Sequence, residues 1–559
     1  MNGTTPPIPL VTGAPADQVF PTLTPAQVSR IEAHGRVRRV ERGEILFEPG
    51  EQNAPFFVVR TGHVEIVRVS DDAEEVVVVH GPRQFTGEMS ILAGRRGLAR
   101  VRAAEAGEVI ELDRQQLMAL VQTDSELSEI LMRAFILRRV ELIAHRLGDV
   151  VLIGSRHSAG TLRVKEFLTR NGHPHSYVDL EEDSGAQAVL DRFQVGVEDV
   201  PVLICRGRSV LRNPTNEQIA DCLGFNAPLD DTKLRDVVIV GAGPAGLAAA
   251  VYGASEGLDV LILESIAPGG QAGSSSRIEN YLGFPTGITG QDLAARAITQ
   301  AQKFGAQMII AKSAQRLSCH RRPYAVQVEN GPMVPARTVI IATGAAYRKL
   351  SVDELSRFEG AGVYYGATAI EAQLCRAEEV VVVGGGNSAG QAAVFLAETA
   401  KRVHMLVRAS GLAESMSRYL IRRIEQSQAI TLRTDTEIVG LEGDGRLERV
   451  RWKNTQTREV ETHDLGHVFV MTGAEPSTGW LEKCVVLDAK GFIKTGPDLS
   501  PAVLTAAGWP LARAPHLLET SLPGVFAVGD VRAGNQKRVA SAVGEGSTAI
   551  ALVHQVLRE

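Results

Sequence analysis

Two glycine-rich loops carry the clearest chemistry in this sequence. Gly241-Ala-Gly243-Pro-Ala-Gly246 follows the apolar run Val237–Val240 and precedes Leu247-Ala-Ala-Ala. In such a loop the first glycine permits a tight turn, the second lets backbone N–H groups approach a pyrophosphate, and the third lets the helix pack close to the strand. The helix N-terminus adds positive potential for the phosphates. The next apolar run ends at Glu264, 23 positions after Gly241, where a carboxylate accepts hydrogen bonds from a ribose. Strand, loop, helix and acid fall in order, so a nucleotide is expected on Gly241, Gly243, Gly246 and Glu264.

The second loop, Gly384-Gly-Gly386-Asn387-Ser388-Ala389, lies 143 positions on and follows Val380–Val383. Its next strand ends at Arg408 rather than at an acid. A guanidinium pairs with a 2′-phosphate, whereas a carboxylate there favours a free 2′-hydroxyl. Gly384, Gly386, Asn387, Ser388 and Arg408 are therefore expected to hold NADP(H), with NAD(H) as the alternative and a solvated surface charge as the plain reading of Arg408. Two nucleotide loops in one chain imply two cofactors, a flavin carrier and a hydride donor.

These loops need a scaffold, and the chain is long enough for several. Its 559 residues suggest three to four domains at about 150 residues each. The apolar share of 44%, the charged share of 22% and the net charge of −6 exclude a disordered or collagen-like chain, and nucleic acid is not an expected partner. No apolar run reaches the ~18–20 residues of a membrane span, and the start MNGTTPPIPL has no basic n-region or apolar h-region. The five cysteines are scattered, form no C-x-x-C and fit a cytoplasmic, reducing setting. No metal site is expected.

Patterning divides the chain. Residues 1–21 read as a loose arm rich in Pro and Thr, and Leu46 to about Asp113 as short strands broken by glycine turns. Residues 114–147 carry helical spacing, and 150–225 read as a small α/β unit. Residues 226–235 read as a polar linker, and Asp236 onward as a long α/β region.

Residues 236–559 resemble the low-molecular-weight thioredoxin reductase family of flavoproteins. Beyond the two loops, Pro268-Gly-Gly270-Gln271 and the Ile278–Pro285 stretch with Asn280 look like that family's isoalloxazine and ribityl contacts. Ala342-Thr343-Gly344 looks like the crossover between its two nucleotide domains. Gly524 to Gly529-Asp530 resembles the closing FAD motif, and Arg538-Val539-Ala540 through Gly546 resembles the entry to the final helix beside the flavin. The resemblance implies FAD, NADPH and a homodimer, with an FAD domain at 236–346 plus 471–559 and an NADP(H) domain at 347–470. One departure is large: Gly366 and Ala369 stand where the family has its C-x-x-C. Disulfide exchange needs an attacking thiolate and a resolving thiol, and glycine and alanine supply neither. Cys375 lies six residues on and is expected to be structural. Electrons thus have a way in but no assigned exit, and no catalytic acid or base is named.

Residues 150–225 resemble a glutaredoxin or thioredoxin fold in which Ser155-Arg-His-Ser158 takes the place of the redox cysteines and Val200-Pro201 looks like the family's cis-proline. Cys205 is expected in the core. His157 and Ser158 have no orienting acid in the sequence, so a docking or glutathione-like recognition role is favoured. Residues 22–147 resemble a cyclic nucleotide-binding domain, with Gly87 and Glu88 in the cassette that holds the ribose. The family's phosphate-binding arginine falls at Gly97, which leaves Arg96 and Arg100 (with Arg95) as substitute cations. Three readings stay open for this domain: a cyclic nucleotide, another nucleotide, or a ligand-free scaffold.

The expected architecture is multidomain: a β-roll like that of cyclic nucleotide-binding proteins, a small α/β thioredoxin-like unit, and a flavoprotein with two dinucleotide-binding domains. The expected function is hydride transfer from NADPH to FAD and on to an acceptor, which can be a quinone, an electron carrier, dioxygen or a protein disulfide, with a nucleotide at the N-terminal domain as a candidate regulator. The alternative is a sensor whose flavin state or barrel ligand is read by a partner with little turnover.

Overall fold

The structure is a computed structural model that describes residues 10, 14–69, 74–145, 150–181, 199–205, 209–481 and 483–559. The N-terminal strands form two antiparallel sheets. One orders Arg36–Val40, Gly107–Leu112 and Phe56–Thr61, and the other orders Ile45–Phe47, Arg100–Ala103, Val64–Val69 and Glu74–His80. Their inward side chains, Val40, Phe47, Phe57, Val59, Val64, Val101 and Val109, make one core. Helices Arg114–Thr123 and Ser125–Ala144 start at Asp113 and Asp124, whose carboxylates accept from the third helical N–H. Leu117, Leu120, Leu131 and Phe135 on these helices pack a second core against Phe56, Phe85 and Ile110.

The arm at 1–21 needs correcting where it is described. Ala16–Val19 is helical, Val19 is fully buried, and its carbonyl accepts from Arg138 Nε at 2.9 Å. The arm has a specific partner, which its composition did not disclose. Residues 1–9 and 11–13 lie outside the described part.

The middle unit is a four-stranded sheet in the order Ser209–Arg212, Val202–Cys205, Val150–Gly154, Ser176–Asp179. The first two neighbouring pairs are antiparallel and the last is parallel. Helix Ala159–Arg170 begins at the Ser158 cap, and Asn216–Leu223 begins with a capping box from Thr215 and Gln218. The Val200–Pro201 bond is cis, and Cys205, the last residue of its strand, is buried.

The 226–235 segment is anchored rather than free. Asn226 exchanges two hydrogen bonds with the Ile310 backbone at 2.8 and 2.9 Å, and Arg235 already belongs to a strand, buried beside Asp259 and Gln307.

The rest of the chain builds two units. In the first, Gln307–Ile310, Val260–Glu264, Arg235–Val240 and Met333–Ile341 run parallel. The far edge of Met333–Ile341 pairs with both Tyr324–Val328 and Val525–Ala527. These strands are apolar on both faces, as a sheet covered on both sides requires. In the second unit five parallel strands follow the order Val363–Tyr364, Val468–Val470, Glu379–Val383, Arg402–Leu406, Ile430–Arg433. The chain passes between the units along a short antiparallel pair, Ala345–Tyr347 with Ala474–Pro476. Among the described residues no helix is long and apolar enough to cross a membrane.

The cysteine reading also changes. Cys319 and Cys484 are joined by a disulfide across 165 positions, linking the hairpin of the first unit to the segment after Gly479–Leu481. Cys205, Cys222 and Cys375 are free. Scatter in sequence says nothing about proximity in space, so the cysteine spacing did not bear on the redox setting. Thiol titration of the unfolded, unreduced protein is expected to find three thiols, and five after reduction. Cys319→Ser should lower stability by up to about 5 kcal/mol, the chain-entropy value for so long a loop; a count of five before reduction contradicts the bridge.

Candidate functional site

The first glycine loop is built by close approaches. Gly241 has φ +106°, and a Cβ there would lie 2.4 Å from the Ala342 carbonyl oxygen. A Cβ on Gly246 would lie 1.9 Å from the Gly241 oxygen. Gly243 differs, since its Cβ would meet only the Gly270 Cα, at 3.8 Å. Two glycines are thus demanded by packing, while the third leaves open backbone facing Gly270. Gly243 is also the N-cap of helix Pro244–Ser255 and has no capping side chain, so the first N–H groups of that helix are free for an anion.

Glu264 stands at the end of its strand, only 7% exposed. One carboxylate oxygen accepts from Ala242 N at 2.8 Å and the other from Ile266 N at 2.9 Å. Burial pushes its carboxyl up, and these N–H groups together with the Arg170 guanidinium oppose that rise. Each oxygen keeps a further lone pair for a hydroxyl. Asp530, in the turn Gly529–Val531, is mostly enclosed; burial raises its carboxyl, the Lys537 cation opposes this, and no hydrogen-bond donor of the described residues reaches it. An enclosed carboxylate without a donor fits a hydroxylated chain. Gly529 N donates to Glu545 Oε2 at 2.7 Å, and Glu545 also pairs with Arg532 at 2.6 Å, so the Asp530 turn is held from the final helix. Arg538 is the N-cap of that helix, with Val539 and Ala540 in its first turn.

The remaining expected contacts gather around the crossover. Gln271 Nε2 donates to the Ala345 carbonyl. Thr343 Oγ1 donates to Ser477 O at 2.9 Å, and Gly344 has φ +64°. Gly270 has φ +56° and backs onto Gly243. Asn280 is exposed, and its neighbour Glu279 lines a cleft of about 550 Å³ between the two units. Phe284 and Arg296 line one wall of the cleft, Phe395 and Arg423 the other, and Arg423 Nη1 bridges it to Glu279 at 2.7 Å.

In the second loop Gly384 has φ +142°, with the Met471 oxygen 2.5 Å from where a Cβ would stand. Gly386 is open and is the uncapped N-cap of helix Asn387–Leu396. Asn387 Oδ1 accepts from Ser417 N at 2.8 Å. Arg408 is exposed, with no partner among the described residues. Burial pushes the Tyr347 phenol up; its hydrogen bond with Ser388 opposes this, and the Asp530 carboxylate adds to it. Tyr347 therefore stands between the second loop and the Asp530 turn, a role that no sequence motif signalled.

Where a dithiol would stand there is no sulfur. A Cβ on Gly366 would lie 3.8 Å from the Ser274 side chain, three residues after Gln271. Ala369 opens a short helix whose cap is Thr368. Cys375 is fully buried, its Sγ donates to the Glu371 carbonyl, and burial pushes its thiol up to about 12. It is no thiolate near neutrality.

The N-terminal cassette is arranged differently from expectation. Glu88 pairs with Arg139 at 3.3 Å, and Gly87 O accepts from Arg138 Nη1 at 2.8 Å. Arg100 is held by Glu48 and Glu74, and Arg96 points to the Cys222 carbonyl of the middle unit. Arg96 and Arg100 do not join Glu88, while the third substitute cation, Arg95, lies within electrostatic reach of it and donates to Asn171 O. At Gly97 a Cβ would lie 2.3 Å from the Phe47 ring, so the phosphate arginine's position is filled by an aromatic ring. In the middle unit Ser155 Oγ donates to Glu181 at 2.5 Å, and His157 Nε2 lies 3.5 Å from the same carboxylate. Sequence reading missed this acid because it comes from the end of a different strand. Ser155 Oγ accepts from the His157 backbone N–H at 3.1 Å rather than meeting its ring, and Ser158 Oγ caps the following helix by accepting from Thr161 N, so neither serine is bonded to the imidazole as a nucleophile to its base.

Comparison with known proteins places these features. Residues 235–546 match the pyridine nucleotide-disulphide oxidoreductase family, and 37–124 match the cyclic nucleotide-binding domain. A thioredoxin reductase of Mycolicibacterium smegmatis is 34% identical over 317 residues, which is 56% of this chain and 94% of that protein. The NADPH-dependent thioredoxin reductase 3 of Arabidopsis thaliana is 30% identical over 360 residues, covering 61% of this chain and 64% of that one. The crystal structure of T. acidophilum thioredoxin reductase superposes with a TM-score of 0.52 at 30% identity, covering 58% of this chain and 99% of that one. With both glycine loops, the crossover and the closing Asp530 turn inside the matched stretch, the chain belongs to the pyridine nucleotide-disulphide oxidoreductase family, in a thioredoxin reductase-like form preceded by a cyclic nucleotide-binding domain.

Proposed function

We propose that this protein is an NADPH-dependent flavoprotein oxidoreductase, assembled as a homodimer, that passes electrons to its acceptor without a dithiol relay. The observation that carries this reading is the pairing of two intact glycine loops with a sulfur-free Gly366 turn beside Ser274, three residues after Gln271. FAD would be held by Gly241, Gly243, Gly246 and Glu264 at the adenosine and pyrophosphate end. Asp530, Gln271, Asn280, Thr343 and the Arg538–Ala540 helix entry would hold the rest. NADPH would be held by Gly384, Gly386, Asn387 and Ser388, with the exposed Arg408 on the 2′-phosphate. The flavin supplies two-electron acceptance from the nicotinamide and release to a second substrate. The chain would supply position: Glu264 would fix the ribose, the helix N–H groups at Gly243 and Gly386 would take phosphate charge, and Tyr347 stands between the second loop and the Asp530 turn. The cleft between the units is the approach for the acceptor.

The N-terminal domain, in this reading, does not take a cyclic phosphate. Phe47 occupies the arginine position and Glu88 is already paired. The strand order of the middle unit supports a redoxin-like module. With Ser155 and Ser158 in place of thiols, it serves as a docking element.

Three outcomes are expected. Purified protein should oxidise NADPH with ferricyanide as acceptor, and added thioredoxin should not stimulate it; thioredoxin-dependent turnover would overturn the missing relay. Gly243→Ala should keep the melting temperature and weaken FAD binding at least tenfold, whereas Gly246→Ala should cost about 2–3 kcal/mol of stability through the clash with Gly241 O; equal effects of the two would contradict their separate roles. Calorimetric titration with cyclic AMP and cyclic GMP should give no binding heat, and saturable binding abolished by Glu88→Gln would restore the nucleotide reading of the cassette.

A further inference from the structure

Helix Ala159–Arg170 of the middle unit ends in a compact turn. Asn171 N and Gly172 N donate back to the Phe167 and Thr169 carbonyls, His173 N donates to Leu168 O, and Gly172 takes φ +59°. A helix C-terminus carries carbonyls without intrahelical donors and the negative end of the helix dipole, so it recruits cations and N–H donors from its surroundings. Here the recruits come from two other parts of the chain. From the N-terminal domain, Arg95 Nη1 donates to Asn171 O at 3.2 Å and Arg139 Nε to Gly172 O at 3.0 Å. From the first nucleotide unit, Gln291 Nε2 donates to Thr169 O at 3.0 Å.

The same turn also reaches outward. Arg170 Nη2 donates to the Ala267 carbonyl at 3.0 Å and to the Gly270 carbonyl at 3.1 Å. These carbonyls bracket the Pro268-Gly-Gly270 bend, where Gly269 and Gly270 both have positive φ and where Gly270 backs onto Gly243. The Arg170 side chain is only 14% exposed, and its guanidinium lies near enough to act on the Glu264 carboxylate. Arg139 is in turn fixed by Glu88, in the segment the nucleotide cassette would use. Four consecutive residues, Thr169 to Gly172, thus touch the cassette side and the flavin-loop side at once.

We propose that Arg170 is a positioning residue for the flavin loop, and that the Glu88–Arg139 pair sets the turn from which Arg170 reaches. The proposal rests on the flavin reading of the Pro268–Gln271 segment. Its consequence is that residues elsewhere devoted to a nucleotide ribose here act on a redox cofactor through one rigid helix end. A packed turn with contacts on both sides can carry such coupling, but only measured non-additivity establishes it.

The test uses the full chain with its flavin removed, titrated with FAD by fluorescence quenching, and the visible circular dichroism of the bound flavin. Arg170→Gln is expected to weaken FAD binding about tenfold, the scale of one hydrogen bond to a charged donor. Arg170→Lys should recover part of the loss. Glu88→Gln, with no contact to the flavin loop, should weaken binding about threefold and alter the dichroism, and the double variant should bind no worse than Arg170→Gln alone. Thermal melts separate these effects from unfolding; if Arg170→Gln does not fold, the same comparison is made with Arg170→Lys. Unchanged FAD affinity in the Arg170 variants, an unaltered flavin signal in Glu88→Gln, or fully additive effects would overturn the proposal. If the unsubstituted protein binds no FAD at all, the flavin reading itself falls, and that failure is seen before any variant is made.

Discussion

The architecture depends on how closely a helix can approach a strand when side chains are removed at chosen points. Gly246 allows the Gly241 carbonyl to come within 1.9 Å of where a Cβ would otherwise stand, and Gly546 does the same for the Ala245 carbonyl at 2.2 Å. With those two contacts the first glycine helix lies against both its own strand and the final helix. The closing segment, with Asp530 and Glu545, is thereby brought to the same end of the sheet as Glu264 although more than half the C-terminal region lies between them in sequence. The second unit shares the loop half of this device, with Gly384 against the Met471 oxygen as Gly241 is against that of Ala342, while Ala389 stands where Gly246 does. Each loop ends in a helix N-terminus without a capping side chain, at Gly243 and at Gly386, the arrangement suited to an anion.

On this frame the unusual feature is what stands between the two loops. A family whose name includes disulphide chemistry is here built with Gly366 and Ala369 at the relay turn, and the nearest cysteine is buried and bonded to its own helix. The bridge that does exist, Cys319–Cys484, ties a hairpin to the segment after Gly479–Leu481 in the core of the first unit. Ser155 and Ser158, like Gly366 and Ala369, carry no sulfur, so in the proposed reading neither place passes electrons through a dithiol.

Legibility in the sequence followed the range of the interaction. The parallel strands, the glycine loops, the Asn216–Leu223 helix and the two-unit division were readable because buried strand runs and fingerprint spacing are local signals. Glu264 could be found because its distance from Gly241 is fixed by one βαβ unit. Tyr347, Arg170 and Glu181 were not found, since each acts on residues brought close only by tertiary packing. The disulfide was missed for the same reason. Arg96 and Arg100 were read as cassette cations from their nearness to Gly97 in sequence. A strand residue and a loop residue there have no common direction: Glu48 and Glu74 hold one, and the middle unit receives the other.

The central claim is that the flavin is the one redox centre between NADPH and the acceptor. The most direct measurement is the number of NADPH equivalents needed to reduce the anaerobic protein fully, counted per bound flavin. A flavin alone takes two electrons, so the account predicts one equivalent and a single-phase loss of the flavin absorbance. Two equivalents, with two thiols appearing as the second is consumed, would mean that a disulfide shares the electrons, and would contradict the account.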